Sequence, residues 1–315
     1  MTTMDGPASP VPRREAAASN YLFSALQVVG LFGLGGYFVA TADTSGFGAL
    51  ATPRAAGWLV AAVLVYCVGQ VLNGLAWRHL LVRAGGSVTL VEMIQHDLSS
   101  VFWSTMLPGG IVGDIVKGVR LARGADAGAV AVSILCARLV GGTTACMIAL
   151  VCLPFSGFGA LVRAVGAVAL VGTMCVGVGG LAALAFGPAA LPAFVASRLP
   201  VGRFPATRDL LVAFGLAIVT HSVFAVVFSA GFAAVGPWMP FADGAVVSAL
   251  TSVAQIVPLS VGGMGVRELS ISGLGAELVP KPAADAAAVA LALTFTVFVA
   301  LGGLVEVWRM VRGAR

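Results

Sequence analysis

The feature that most limits the fold of this 315-residue chain is a series of apolar stretches about 20 residues long, joined by short polar segments. A helix of that length spans the roughly 30 Å hydrocarbon core of a bilayer. Only 10% of the residues are charged, whereas soluble domains carry about 25%. Because so few charges cannot cover a water-exposed surface of this size, we predict an all-α polytopic membrane protein.

About six uninterrupted transmembrane helices are predicted from the apolar runs. They cover residues 21–40, 57–81, 125–153, 161–186, 210–235 and 286–311. Residues 1–20 are polar and are predicted to be a disordered cytoplasmic N-terminus, and residues 21–312 a single transmembrane domain. The apolar run 21–40 is longer than the core of a signal peptide, which favours a retained anchor.

Two further apolar segments are interrupted by proline and glycine just before charged residues. The first break, 107–123, reads LPGGIVGDIVKGVRLAR, and the second break, 257–270, reads VPLSVGGMGVRELS. Paired interruptions in the two halves of a membrane protein indicate a substrate site near the middle of the membrane. Unwound backbone at that depth is tolerated only where protein or a wet cavity surrounds it. We therefore expect the two breaks to meet inside the protein.

The basic residues favour two re-entrant hairpins over two additional full crossings, which would make eight in total. With the N-terminus inside, thirteen basic residues fall on the inner side and three on the outer side. The inner set is Arg13, Arg14, Arg78, Arg83, Lys117, Arg120, Arg123, Arg198, Arg203, Arg208, Arg309, Arg312 and Arg315, and the outer set is Arg54, Arg163 and Lys281. Full crossings would remove this asymmetry. The re-entrant topology makes residues 21–153 and 161–312 a 3+3 inverted-topology repeat with both termini cytoplasmic.

The first break is followed by charged residues at every third position. Asp114, Lys117, Arg120 and Arg123 drift over one face of a helix. This face is predicted to hold a lipid phosphate at the inner leaflet, or else to be a solvated face that only sets orientation. Asp114 either orients Lys117 or is simply its neighbour one turn away.

Arg138 lies in the middle of the third span, where an ionised side chain needs a carboxylate, backbone carbonyls or a wet cavity. Its candidate partners are Asp97, Asp114 and Glu268. In the segment before the first break, His96 and Asp97 are either a proton relay or a structural pair.

The second break ends in the charged pair Arg267 and Glu268. Because adjacent residues do not face each other on a helix, each is expected to need its own partner. Ser260, Gly262 and Gly263 are predicted either to expose backbone N–H groups as an anion site or to form a tight, closely packed turn.

Other polar residues are assigned to the membrane boundaries. Trp77 is expected in the interfacial belt, Glu306 in a structural role beside Arg309, and Glu277, Lys281 and Asp285 in a water-facing turn. The five cysteines show no metal-site spacing, and there is no P-loop, GxSxG or dinucleotide motif. No cofactor or metal is predicted. Because the +5 net charge is spread over short loops, nucleic acid is not expected as a partner either.

Both breaks match a pair of family motifs, P-G-x-x-G-[ED]-x-x-R and S-x-G-G-x-G-x-R-E. The first is matched by Pro108, Gly109, Gly113, Asp114 and Lys117, with one additional residue between Gly109 and Gly113 and lysine in place of arginine. The second is matched by Ser260, Gly262, Gly263, Gly265, Arg267 and Glu268. The chain therefore resembles the flippase-like transmembrane region of the lysylphosphatidylglycerol synthase family, over roughly residues 20–312. The E-R-L sequence common in that family is Ala137, Arg138 and Leu139 here, without the glutamate.

The resemblance implies a lipid translocase fold of inverted repeats with re-entrant helices. The bifunctional synthases add a soluble aminoacyl-transferase domain, which nothing after Arg315 supplies, so we expect no synthase activity and no catalytic residues. The expected substrate is an anionic or glycosylated lipid or lipid-linked intermediate (phospholipid, hopanoid-type lipid or lipid-linked glycan) in the bacterial inner membrane. A membrane enzyme of lipid or cell-envelope modification, or an accessory subunit with a lipid-modifying enzyme as partner, is the alternative. The sequence does not indicate an oligomeric state.

The expected substrate contacts lie at the two breaks and in the third span. They are Pro108, Asp114, Lys117, Arg120, Arg138, Ser260, Gly262, Gly263, Arg267 and Glu268.

Overall fold

A computed structural model describes residues 13–107, 112–122, 126–186, 204–256 and 261–313. In these ranges the chain is helical apart from short turns, and it contains no β-strand. The helices are α1 (Arg13–Thr41), α2 (Pro53–Arg83), α3 (Leu90–Met106), α4 (Val112–Leu121), α5 (Ala127–Cys152), α6 (Ala160–Phe186), α7 (Thr207–Ala233), α8 (Phe241–Ala254), α9 (Val266–Ala276) and α10 (Lys281–Gly313). Five of them, α2, α5, α6, α7 and α10, are long and apolar enough to cross a membrane. The predicted all-α polytopic membrane protein is confirmed.

Helices α2 and α7 pack antiparallel along their length and define the two ends of the molecule. Arg54, at the start of α2, donates a 2.7 Å hydrogen bond to the backbone oxygen of Gly236, just beyond α7. At the other end, Arg83 Nε lies 3.2 Å from Asp209 Oδ1. We call the end with Arg83 the basic end and the end with Arg54 the opposite end.

The long helix α10 runs between these two ends. At its start, Asp285 accepts hydrogen bonds from Lys281 and Ser272, and from the backbone N–H of Asp43 at 2.8 Å. Glu306, which follows Lys281 by 25 residues or about 37 Å of helix, pairs with Arg120 at the basic end. The predicted water-facing turn is therefore wrong at Asp285, which is fully buried because three donors satisfy its carboxylate.

Helices α3 and α4 form an antiparallel hairpin whose open side is at the basic end. Gly113 packs on α3 so closely that an added Cβ would lie 2.1 Å from the backbone oxygen of Ser100. Its N–H donates to Ser104 Oγ at 3.1 Å. One turn further along α4, Lys117 reaches back to Asp97. We call this pair of helices the first hairpin.

Helices α8 and α9 form a second hairpin, which opens at the opposite end. Asp243, in the first turn of α8, accepts a 2.7 Å hydrogen bond from Gly157 N, just before α6. Ser272 of α9 contacts Asp285 at that same end. Between the helices, a short 3-10 turn, Val261–Gly263, reverses the chain. The two hairpins therefore extend inward from different ends of the molecule.

The turn of the second hairpin lies against the last turn of α3, just before the first break. A contact between the two breaks themselves stays a prediction, because residues 108–111 and 257–260 lie outside the described part of the chain. Gly262 has a φ of +61° and sits on the last turn of α3, where an added Cβ would be 2.8 Å from Thr105 Cα. Gly265 fits equally closely against α1, with its Cβ position 2.9 Å from Gly35 N. The second break is thus wedged between α1 and α3.

The N-terminal prediction differs from the structure in its boundary. Helix α1 begins at Arg13, inside the segment that we predicted to be disordered, because the apolar run that starts at Tyr21 extends as helix in the N-terminal direction. Residues 1–12 lie outside the described part of the chain.

Candidate functional site

Lys117 is the most enclosed charge of the first hairpin. It is buried and donates to Asp97 Oδ1, and its ammonium lies 3.2 Å from the centre of the Trp77 ring. Trp77 is fixed in turn by a 3.2 Å hydrogen bond from Nε1 to Ser133 Oγ on α5. A buried ammonium is stable only with such compensation from a carboxylate and an aromatic face. Lys117 therefore connects α4 to α2 and α3.

Arg120 makes a bidentate ion pair with Glu306 of α10. Its Nη1 and Nη2 donate to the two carboxylate oxygens at 2.6 and 2.7 Å. Ser99 of α3 adds a third contact, since its hydroxyl donates to Glu306 and accepts from Arg120 Nη1 at 2.7 Å. Arg309 Nη1 lies 3.8 Å from the same carboxylate. This geometry fastens the first hairpin to α10.

Arg138 pairs with Asp114, one of its three candidate partners. Its Nε donates to Asp114 Oδ2 at 2.7 Å. Asp114 is mostly covered, whereas the Arg138 side chain is 61% exposed. Arg138 is 11 residues into α5, about 16 Å along the helix. A charged side chain is thus presented to open space in the middle of a membrane-spanning helix.

Arg267 and Glu268 pair with each other, which corrects our expectation of separate partners. Arg267 Nε and Nη2 donate to Glu268 Oε1 at 2.9 and 2.7 Å. Glu268 Oε2 also accepts from Gly265 N at 2.7 Å, so its carboxylate turns back over the start of α9. Two long side chains can meet there because no preceding helical turn separates them. The Arg267 guanidinium also lies 4.6 Å from the Phe295 ring centre.

Gly262 and Gly263 of the second break form a closely packed turn, the second of the two structures that we predicted for them. Gly262 lies on Thr105, and a Cβ on Gly263 would be 2.3 Å from Gln255 Oε1. The anion position at the start of α9 is taken by the Glu268 carboxylate itself.

Aromatic rings of α7 and α10 pack around Tyr66 of α2, and we call this group the aromatic layer. Tyr66 of α2 lies 5.1 Å from Phe295 and 4.4 Å from Phe298, measured between ring centroids, with steep interplanar angles. The ring of Phe224 on α7 lies 5.3 Å from that of Tyr66 at a tilted angle. Arg267 contacts this layer through Phe295. The aromatic layer therefore joins α2, α7 and α10 and contacts the second hairpin through Arg267.

His96 and Asp97 are not joined by a hydrogen bond in the structure. Asp97 Oδ1 is taken by Lys117, while Asp97 Oδ2 and His96 Nδ1 have no hydrogen-bond partner among the described residues. Adjacent positions on α3 point these side chains in different directions. The proton relay stays a prediction.

Two predicted contact residues, Pro108 and Ser260, lie outside the described residues, as does Arg123. Sequence reasoning in turn gave no binding-site role to Trp77, Ser99 and Glu306. Trp77 was expected at the interface but is buried. The sequence could have indicated a cationic partner for Glu306, because a lone carboxylate within an apolar helix requires a cation nearby.

The sequence model of one protein family matches this chain. Its description is "Lysylphosphatidylglycerol synthase TM region", and it covers residues 24–303, which include both hairpins. No curated protein matches the sequence.

Proposed function

The chain belongs to the lysylphosphatidylglycerol synthase transmembrane family, and on that basis we propose that it is a lipid translocase. Its substrate in this proposal is an anionic or glycosylated lipid or lipid-linked intermediate. The two hairpins are re-entrant elements of a 3+3 inverted repeat, and the head group crosses between them. The basic end faces the cytoplasm of a bacterial cell, with both chain termini on that side.

The observation that carries the proposal is the exposure of Arg138 beside Asp114. A guanidinium in the middle of a spanning helix is stable when it faces a water-filled cavity or an anionic group, and is costly against hydrocarbon. Its 61% exposed side chain therefore supports a hydrated space at this depth, next to the first break. An anionic head group entering this space competes with Asp114 for Arg138.

The other ion pairs have a different role in this mechanism. Lys117 and Arg120 are each neutralised by a carboxylate of another helix. They hold the first hairpin in place, and a phosphate gains access to them only after those pairs separate. In this mechanism the aromatic layer around Tyr66 is the barrier to passage between the two hairpins. Translocation thus requires the layer and the ion pairs to open in sequence.

The sequence contains no nucleotide-binding motif, so the proposed movement follows a lipid gradient or is coupled to protons or a partner. We further propose that no covalent step takes place. Mass spectrometry of the vesicle lipids before and after incubation tests this point, and a new lipid species would contradict it.

Lipid translocation is tested by reconstituting the purified protein into vesicles with fluorescent phosphatidylglycerol. A membrane-impermeant quencher reports the fraction of labelled lipid on the outer leaflet over time. We expect faster equilibration than in protein-free vesicles, and slower equilibration for Arg138→Ala and Glu268→Ala. Arg312→Ala, at the end of α10, is the matched control for loss of one positive charge. Wild-type rates equal to those of protein-free vesicles would refute the proposed function.

A further inference from the structure

A cleft of about 130 Å³ lies between α2, α3 and α10, beside the buried ion pair of Lys117. Its walls are almost entirely apolar and include Cys67 and Val71 of α2 and Phe298 and Leu301 of α10. The one ionisable carboxylate at its wall is Asp97, the partner of Lys117. One water molecule needs roughly 10–15 Å³ of such volume, so the cleft has room for a segment of an alkyl chain.

The mouth of the cleft opens on the lipid-facing surface. Val71 and Leu301 belong to its wall and are also 36% and 38% exposed on the outside of the bundle. Their neighbours along the same helices, Val68 and Leu304, are exposed as well. Because both helices are membrane spans, hydrocarbon borders the mouth.

The cleft has a defined depth in the membrane. Val71 is 12 residues from the end of α2 at Arg83, or about 18 Å of helix. Cys67 lies one turn deeper. Phe298 contacts the aromatic layer through Tyr66 at 4.4 Å and closes the inner wall. The cleft therefore reaches from the half of the membrane at the basic end towards the middle.

We propose that this cleft holds one acyl chain of the lipid that the protein moves, drawn from the leaflet at the basic end. The proposal rests on the proposed function, because it assigns a place to the chain of that same lipid. The apolar wall and the open contact with hydrocarbon specify an alkyl chain. The position of Asp97 places this chain next to the pair that a head group must reach. Seating the chain here keeps it in an apolar environment while the head group enters the hydrated space near Arg138.

The test uses the protein in vesicles made of phosphatidylethanolamine and phosphatidylglycerol. The phosphatidylglycerol carries a photoreactive diazirine in one acyl chain. After illumination, peptide mass spectrometry locates the cross-links. We expect cross-links at Cys67 and Phe298, above the background at the fully buried Leu170. Val71→Trp fills the mouth, so these cross-links should be lost and translocation should slow. Val71→Ala widens the mouth and should keep the cross-links, which controls for folding. Val176→Trp, on the exposed face of α6, should leave both measurements unchanged.

The outcomes separate this proposal from the proposed function. A wild type that translocates lipid without cross-links at Cys67 or Phe298 overturns the proposal alone. Loss of these cross-links in Val71→Trp with unchanged translocation also overturns it, since the bound chain then belongs to a lipid that is not moved. A wild type without translocation overturns the proposed function.

Discussion

Gly262 rests directly on Thr105, so closely that a Cβ at residue 262 would approach Thr105 Cα to 2.8 Å. This contact joins the tip of the second hairpin to the last turn of α3. The two residues come from opposite halves of the chain and from hairpins that open at different ends. The contact therefore fixes how far each hairpin reaches into the molecule.

Gly262→Ala is expected to lower the stability of the protein. Its φ of +61° is unfavourable for alanine, and the added methyl group meets backbone rather than a flexible side chain. Strained backbone of this type costs about 1–3 kcal/mol. Thermal unfolding in detergent, followed by tryptophan fluorescence, should show a lower midpoint. Gly273→Ala on α9 is the control, because no atom lies within 4 Å of its Cβ position. Equal midpoints for the two variants would contradict the contact.

Gly74→Ala is expected to disturb the buried ion pair. A Cβ at residue 74 would lie 2.5 Å from Asp97 Oδ2, on the carboxylate that holds Lys117. Gly57→Ala, on the same helix, has open space at the Cβ position. It should be neutral or stabilising by up to about 1 kcal/mol, since alanine favours helix. We expect opposite changes in unfolding midpoint and slower translocation only for Gly74→Ala. A stable Gly74→Ala protein with normal translocation would argue against a role for this pair.

Lys117→Gln leaves the Asp97 carboxylate buried without its cation. Removing one partner of a buried pair costs about 3–5 kcal/mol, whereas replacing both partners by neutral groups costs much less. We expect the double variant Lys117→Gln with Asp97→Asn to recover most of the lost stability, as measured by the unfolding midpoint. Additive losses in the double variant would show that the two side chains do not interact.

Glu306→Gln tests the connection between α4 and α10. The substitution removes the charge that binds Arg120 through two short hydrogen bonds. In a double-mutant cycle with Arg120→Gln, the coupling free energy of contacting residues is about 0.5–3 kcal/mol. Glu277→Gln removes an exposed carboxylate at the end of α9 and provides the control cycle with Arg120→Gln. Coupling near zero for Glu306 and Arg120 would mean that the pair does not fasten the hairpin.

Asp43, in the connection between α1 and α2, is expected to make stability depend on acid. Hydrogen bonds from Ser45, first from its side chain and then from its backbone, lower the pKa of Asp43 below its ordinary value. A carboxyl whose pKa is lower in the folded state stabilises the fold above the unfolded pKa of about 3.9. That contribution is lost as the pH falls through the folded pKa. The unfolding midpoint of wild type should therefore fall more steeply than that of Asp43→Asn between pH 5 and 3. Parallel curves would contradict this.

Much of the fold was predictable because hydropathy and helix length act locally. The apolar runs located five candidate spanning helices to within about five residues, whereas the first predicted span, 21–40, falls in α1, which is not among the five. The Pro/Gly interruptions located both hairpins. The ion-pair partners of the charged side chains were harder to predict from the sequence. Arg120 and Glu306 are 186 residues apart in sequence, and their meeting depends on how α4 and α10 are rotated when they pack. Arg267 and Glu268 were misjudged because the rule for adjacent helical residues does not hold at a helix start, where side chains bend back over the first turn.

Helix α10 carries Asp285 near one terminus and Glu306 near the other, and each carboxylate anchors a different hairpin. A straight helix changes its length very little, so any sliding of α10 along its axis displaces both anchors together. In the proposed mechanism the two hairpins are therefore linked through one helix, and a displacement of α10 that releases one hairpin also moves the other.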